Sequence, residues 1–158
     1  MEYDFEINQL SENFFNDYPE TQFPELMHKI GRPYSCLLID RHDEFFICIP
    51  FRSSIEHNNC FRFKNSERSK NTKSGLDYSK IVCISNSEYF SNEPAIVDKD
   101  EYNETVKNMT LIATEAAAYV DTYINHINDS YPLHEKEFER KYKFSTLKYF
   151  HNILGIDL

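Results

Sequence analysis

Two stretches of this sequence concentrate the groups that hold phosphate and move protons. In IPFRSSIEHNN (49–59), Arg52, Ser53, Ser54 and His57 follow an apolar run within six residues. A guanidinium offers phosphate a flat fork of donors, and an imidazole titrates near neutrality and can carry a proton. In FKNSERSKNTKSGLDYSK (63–80) cations alternate with hydroxyls. From Arg62 to Lys80 there are six Lys/Arg (Arg62, Lys64, Arg68, Lys70, Lys73, Lys80) against two acids, Glu67 and Asp77. That window is +4 in a chain of −9, so the rest sums to −13. Ser66, Ser69, Thr72, Ser74 and Tyr78 add hydrogen-bonding groups, a mixture that suits an anionic polymer. A plain solvated loop is the competing reading. Taken alone, 49–59 reads as a serine cap or turn beside a surface histidine.

A third stretch, GRPYS (31–35), places Arg32 just before an apolar run. If that run pairs with 44–51 as a hairpin, Arg32 lies near Phe51 and Arg52, and two segments point cations at one place. The alternative is an ion pair between Arg32 and a surface acid. Tyr78 either stacks on a base, a contact of about 1–3 kcal/mol, or packs in the core.

Cations, hydroxyls and one histidine suit RNA cleavage. RNA carries its own nucleophile, the 2′-OH beside the scissile phosphate. Cleavage then requires in-line placement, transfer of two protons and stabilisation of a phosphorane-like transition state. Arg32, Arg52 and Lys73 would supply charge, and Ser53 or Thr72 would hold phosphate oxygens. His57, or a lysine of lowered pKa, would move protons. Arg62, Lys64, Arg68, Ser69, Lys70, Thr72, Ser74, Asp77, Tyr78 and Lys80 would contact the RNA around them. DNA, without a 2′-OH, would be bound uncut.

The elements that must position these groups are short. PYSCLLID (33–40) and EFFICIPF (44–51) read as buried strands joined by the turn DRHDE. NCFRFK (59–64) alternates, which sends Phe61 and Phe63 inward and Arg62 and Lys64 outward. SKIVCIS (79–85) is a further strand and PAIVD (94–98) a short edge strand. Gly75 frees a tight turn in the loop before SKIVCIS. Residues 3–30 read as a strand or coil followed by one or two short helices, with Ser11 as a cap and Gly31 as a stop. Val106, Met109, Ala113, Ala116, Val120, Tyr123 and Ile127 recur at intervals of three and four, which predicts one helix over about 100–128. Asp98, Asp100, Glu101 and Glu104 crowd its positive end. LHEKEFERKY is a short charged helix, and STLKYFHNIL a last one, capped by Ser145 and stopped by Gly155. Strands first and helices after predict an α+β fold on a mostly antiparallel sheet. One domain over 1–158 is expected, strand-rich over 31–98 and helical over 100–155.

Composition excludes several classes. Three glycines, with neither GxGxxG nor a Walker loop, argue against a glycine-cradled nucleotide. His28, His42, His57, His126, His134 and His151 show no metal-ligand spacing, and Cys36, Cys48, Cys60 and Cys83 form no CxxC pair. No metal and no cofactor are expected. Single cysteines inside apolar runs suit a reducing cytoplasm. No apolar run approaches the roughly 20 residues of a membrane span, and the acidic, polar MEYDFEINQL does not read as a signal peptide, so none is expected.

The stretch GRPYSCLLID, then FFICIPFRSSIEHNN, then RSKNTKSGLDYSKIV resembles the endoribonuclease toxins of type III toxin–antitoxin systems, the ToxN/AbiQ family, and its CptN and TenpN branches most closely. The resemblance implies a strongly twisted antiparallel sheet ringed by helices, similar to the Kid/MazF toxin core. It implies metal-independent RNA cleavage that leaves a 2′,3′-cyclic phosphate. It implies a pseudoknot RNA antitoxin, processed from tandem repeats by the toxin itself and assembled with it into a closed complex. Cellular or phage RNA would be the substrate and phage defence the role. By position, Arg32 matches a basic residue ahead of the first core strand, and Ser53 the serine of a TSPK-like motif. Arg52 stands where that motif has threonine, and Ile55 where it has lysine, so His57, Lys70 or Lys73 takes over the cation's role. A family tyrosine near the N-terminus is unmatched; Phe14 lies nearby.

Overall fold

Apolar runs bounded by polar turns zip into one antiparallel sheet in the first half of the chain. A computed structural model describes residues 5–26, 34–41, 45–93 and 95–156. The strands are β1 (Phe5–Gln9), β2 (Ser35–Arg41), β3 (Phe45–Arg52), β4 (Cys60–Arg62), β5 (Gly75–Asp77) and β6 (Val82–Ile84). The order is β1-β2-β3-β5-β4, with β6 also on β3. β2 and β3 pair as the expected hairpin, from Cys36 opposite Pro50 to Arg41 opposite Phe45. The helices are α1 (Glu12–Asp17), α2 (Glu67–Thr72), α3 (Lys99–Lys107), α4 (Met109–Ile127), α5 (Glu135–Tyr142) and α6 (His151–Leu154). The fold is α+β, as the order of patterns predicts.

One edge of β3 carries two ladders in succession. Phe51 and Arg52 face Leu76 and Gly75, while Phe46 to Cys48 face Ile84 to Val82. Six residues of β3, from Phe46 to Phe51, thus span nine on the facing chain, from Leu76 to Ile84. The extra three match a single helical turn, Tyr78–Lys80. Pro50, which has no N–H for a ladder, lies in the interval. The expected strand 79–85 therefore begins only at Val82.

A single core joins both halves. Leu37, Ile49, Leu76 and Ile81 are buried with Ile112, Ala116 and Val120 of α4 and with Leu147 and Phe150. Each such large aliphatic side chain contributes about 1.5–3 kcal/mol by leaving water. Among the described residues, no helix is long and apolar enough to cross a membrane.

Several local expectations change. The long helix is two: α3 ends and α4 starts at Asn108, whose side-chain amide donates to the Glu104 carbonyl at 2.8 Å. A side chain that bonds its own backbone competes with helix continuation. Val106 drops off the stripe and is exposed, while Met109, Ala113, Ala116, Val120 and Tyr123 are buried. Residues 95–98 form no strand; Asp98 instead caps α3 by accepting from the Glu101 N–H at 3.0 Å. The final helix is a turn at Leu147–Tyr149 followed by α6, ended by Gly155 at φ 74°. Ser11 gives α1 no side-chain cap, and its hydroxyl donates to the Glu88 carbonyl. Arg32 and Gly31 lie outside the described residues, as do His28 and His42.

Gly75 lies in β5, not in a tight turn. A Cβ there would sit 2.3 Å from the Phe61 carbonyl oxygen, so β4 approaches as only glycine allows. Gly75→Ala is expected to cost about 1–3 kcal/mol, the range of core overpacking, read as a fall in the urea midpoint with unchanged slope.

Candidate functional site

Fully buried Asp77, the last residue of β5, organises the site. Its Oδ2 accepts from Arg52 Nη1 at the end of β3. Its Oδ1 accepts from the Ser79 hydroxyl at 2.6 Å and the Ser79 N–H at 2.9 Å, and lies 3.1 Å from His57 Nε2. The Asp77–Ser79 spacing is that of a side chain capping its own turn, which explains why the looped-out turn starts here. Burial alone would raise the Asp77 pKa. Hydrogen bonds from His57 and Ser79 and the charge of Arg52 outweigh it and hold the carboxyl below the ordinary aspartate value.

The histidine is held at both nitrogens. Nδ1 accepts from the Asn59 N–H at 3.1 Å, so the proton sits on Nε2, which faces Asp77 Oδ1 and, at 3.1 Å, Ser79 Oγ. Both Asp77 and Ser79 face the same ring nitrogen, so this is not a serine–histidine–aspartate relay, which needs one partner on each side. Arg62 does not point outward. Its guanidinium donates to the carbonyls of Ile55 at 3.0 Å, Lys73 at 3.4 Å and His57 at 2.9 Å, fastening the 53–57 loop to β4.

Lys80 closes the turn. It is only 9 % exposed, and its Nζ donates to the Phe144 carbonyl at 2.9 Å. Burial lowers its pKa, the charge of Asp77 opposes that, and Arg52 lowers it further. Tyr34 belongs to the same neighbourhood. Burial raises its phenol well above the usual value, with Cys36 adding to this, Arg52 lowering it and Asp77 raising it.

The 49–59 and 63–80 segments do meet. Beyond the β3–β5 ladder the Ser54 and Ile55 N–H groups donate to the Thr72 and Lys73 carbonyls. Ser54 and Lys73 both take left-handed backbone, at φ 57° and 51°. Ser53 is half-buried at this junction, between Arg52 and the loop.

The basic stretch is less open to a ligand than its composition suggests. Residues 67–72 form α2 rather than a loop, with Ser66 and Ser69 capping each other. The Ser66 and Ser74 hydroxyls both donate at 2.8 Å to Glu101 Oε2 of α3, which Arg68 also approaches at 3.3 Å. Glu104 accepts from the backbone of Lys64 and Asn65. Thr72 donates to the Arg68 carbonyl, and Tyr78 is core, its hydroxyl on Glu115 at 2.8 Å. Lys73 pairs with Glu56 at 3.2 Å on the surface. Lys64 and Lys70 are exposed. Phe14 and Ile55 are both buried in the interior.

Sequence reasoning missed Ser79, the turn that carries it, and Tyr34; the Asp-x-Ser spacing was the available signal for the first two. Among the described residues, no cluster of three or more His, Cys, Asp or Glu could hold a metal ion. No family model matches the chain, nor does any curated protein or solved structure.

The lowered Asp77 pKa fixes the sign of its acid dependence. Its contribution is complete above the unfolded value, about 3.9, and is lost as pH falls through the lower folded value. Asp77→Asn should lower stability at pH 7 by about 2–3 kcal/mol and flatten the loss of stability below about pH 4. Thermal unfolding from pH 7 to pH 2 reads both effects.

Proposed function

We propose that this protein is a metal-independent endoribonuclease, the toxin of a type III toxin–antitoxin system, bound and inhibited by a pseudoknot RNA that it processes. The observation that carries this reading is the union of the 49–59 and 72–80 segments. Hydrogen bonds along β3, β5 and the strand's extension set Arg52 and His57 on one buried carboxylate, with Lys80 within reach of its charge and with Ser53 and Lys73 at the adjoining strand junction. The α+β scaffold with its antiparallel sheet is also the one the family resemblance implies. Action in the cytoplasm fits four free cysteines.

In this mechanism Arg52 binds the scissile phosphate. Its side chain is 23 % exposed and held by Asp77, so the guanidinium is oriented before RNA arrives. Lys80 takes the proton. A neutral amine donates to the Phe144 carbonyl and still keeps a lone pair for the 2′-OH. The 2′ oxygen then bonds to phosphorus, the bond from phosphorus to the 5′ oxygen breaks, and that oxygen takes a proton from solvent. His57, engaged at both nitrogens, positions Asp77 and so Arg52. Ser53 and Lys73 hold neighbouring phosphate oxygens.

The same engagement of His57 favours a second reading, a non-catalytic RNA-binding module that uses the same surface. Incubation with RNA in EDTA separates the two. Cleavage to 2′,3′-cyclic phosphate ends is expected, with Arg52→Ala slowing it about 100-fold or more and ending growth arrest in cells. The rate should rise with pH up to a lysine pKa below the ordinary value, and Lys80→Gln should remove that rise. Intact RNA at every pH, with binding retained, would leave only the binding module.

A further inference from the structure

The strongest unassigned feature lies 60 residues beyond the basic stretch, in RKYKFSTLK (140–148). It holds Arg140, Lys141, Lys143 and Lys148 and no acid; the acids of α5, Glu135, Glu137 and Glu139, precede it. Its backbone is stitched to the site. The Thr146 N–H donates to the Ser79 carbonyl at 3.0 Å, and its hydroxyl donates to the Ile81 carbonyl. Asn59 Nδ2 reaches the Lys141 carbonyl at 3.4 Å, and Lys80 Nζ ends on the Phe144 carbonyl. Lys80 thus links Phe144 directly to the Asp77 turn.

Phe144 is 65 % exposed, whereas its neighbours Tyr142, Leu147 and Phe150 are buried. The ring does not fill the core, and a cation stands by it: Lys143 Nζ lies 5.4 Å from its centroid. Arg140 and Lys143 are exposed on either side of Tyr142. Lys148 is held by Glu25 at 2.9 Å, and Lys141 lies over the Tyr119 and Tyr142 rings at 5.9 and 5.8 Å.

We infer that Phe144 is a stacking platform for a base of single-stranded RNA entering the site, with Arg140 and Lys143 on the flanking phosphates. This rests on the reading of the site as one that takes RNA, and adds the surface that selects an unpaired strand. A flat exposed ring among cations matches a chain that alternates π-faces with negative charge. An acidic peptide would use the cations and leave the ring idle. A duplex would keep its bases stacked away from the ring.

The test uses the full chain in EDTA and fluorescent 12-mers that the enzyme cannot cut: 2′-O-methyl oligoadenylate and an abasic strand of equal length, with oligoglutamate as competitor. The wild-type protein should prefer the oligoadenylate. Phe144→Ala should weaken that binding about tenfold, a typical loss for one stacked base, and abolish the preference over the abasic strand. Phe144→Trp should restore it. Lys143→Ala should weaken both strands alike and reduce the salt slope. Oligoadenylate binding by Phe144→Ala equal to wild type overturns the platform while leaving the RNA site standing. Equal competition by oligoglutamate overturns it in favour of an acidic protein partner. Failure of the wild-type chain to bind either strand overturns both the platform and the RNA reading.

Discussion

A carboxylate cannot remain ionised inside a protein unless its neighbours answer its charge and its lone pairs. Asp77 meets that demand with four donors from three places: Arg52 at the end of β3, His57 in the following loop, and the hydroxyl and amide of Ser79 in its own turn. The geometry of this corner follows from satisfying that one group. The strand must stop and loop out three residues to bring Ser79 round, and the loop must fold back to bring His57. A neutral residue at 77 would leave Arg52 free to turn into solvent and lose its preset direction.

A second pair of acids does the same for the basic stretch at longer range. Glu101 and Glu104 lie one helical turn apart on α3, so both face the 64–74 segment. One takes two serine hydroxyls and an arginine, the other takes backbone amides. The local excess of positive charge is therefore partly a structural matter: it lets a basic segment pack on an acidic helix. What is left facing water is smaller and displaced, toward Lys64, Lys70 and the chain around Phe144.

The hairpin of β2 and β3, the α+β order and the buried stripe of α4 were legible because each rests on a repeating pattern that burial enforces. The convergence of Arg52 with the 72–80 segment was legible in outline, as cations and hydroxyls clustered near strand ends. The inward aim of Ser66, Ser74 and Tyr78 was not legible, since a hydroxyl carries no periodic mark of its partner. Nor was the break at Asn108, where one side-chain hydrogen bond overrides a stripe that continues past it in sequence. The role of His57 turned on which atoms face its two nitrogens, a property of three-dimensional placement alone. The 140–148 segment joins the end of the charged helix to the start of the last one, and no pattern in it marks the carbonyls that receive Lys80 and Asn59.

Ser54 and Lys73 hold left-handed backbone without being glycine, and they sit side by side where the β3–β5 ladder runs out. Each stores strain of order 1 kcal/mol. That strain lowers the cost of opening this corner locally, against the three hydrogen bonds by which Arg62 ties the 53–57 loop to β4. Opening would swing the 53–57 loop outward and uncover the guanidinium of Arg52, so the molecule carries a weak hinge beside the charge it keeps most tightly oriented.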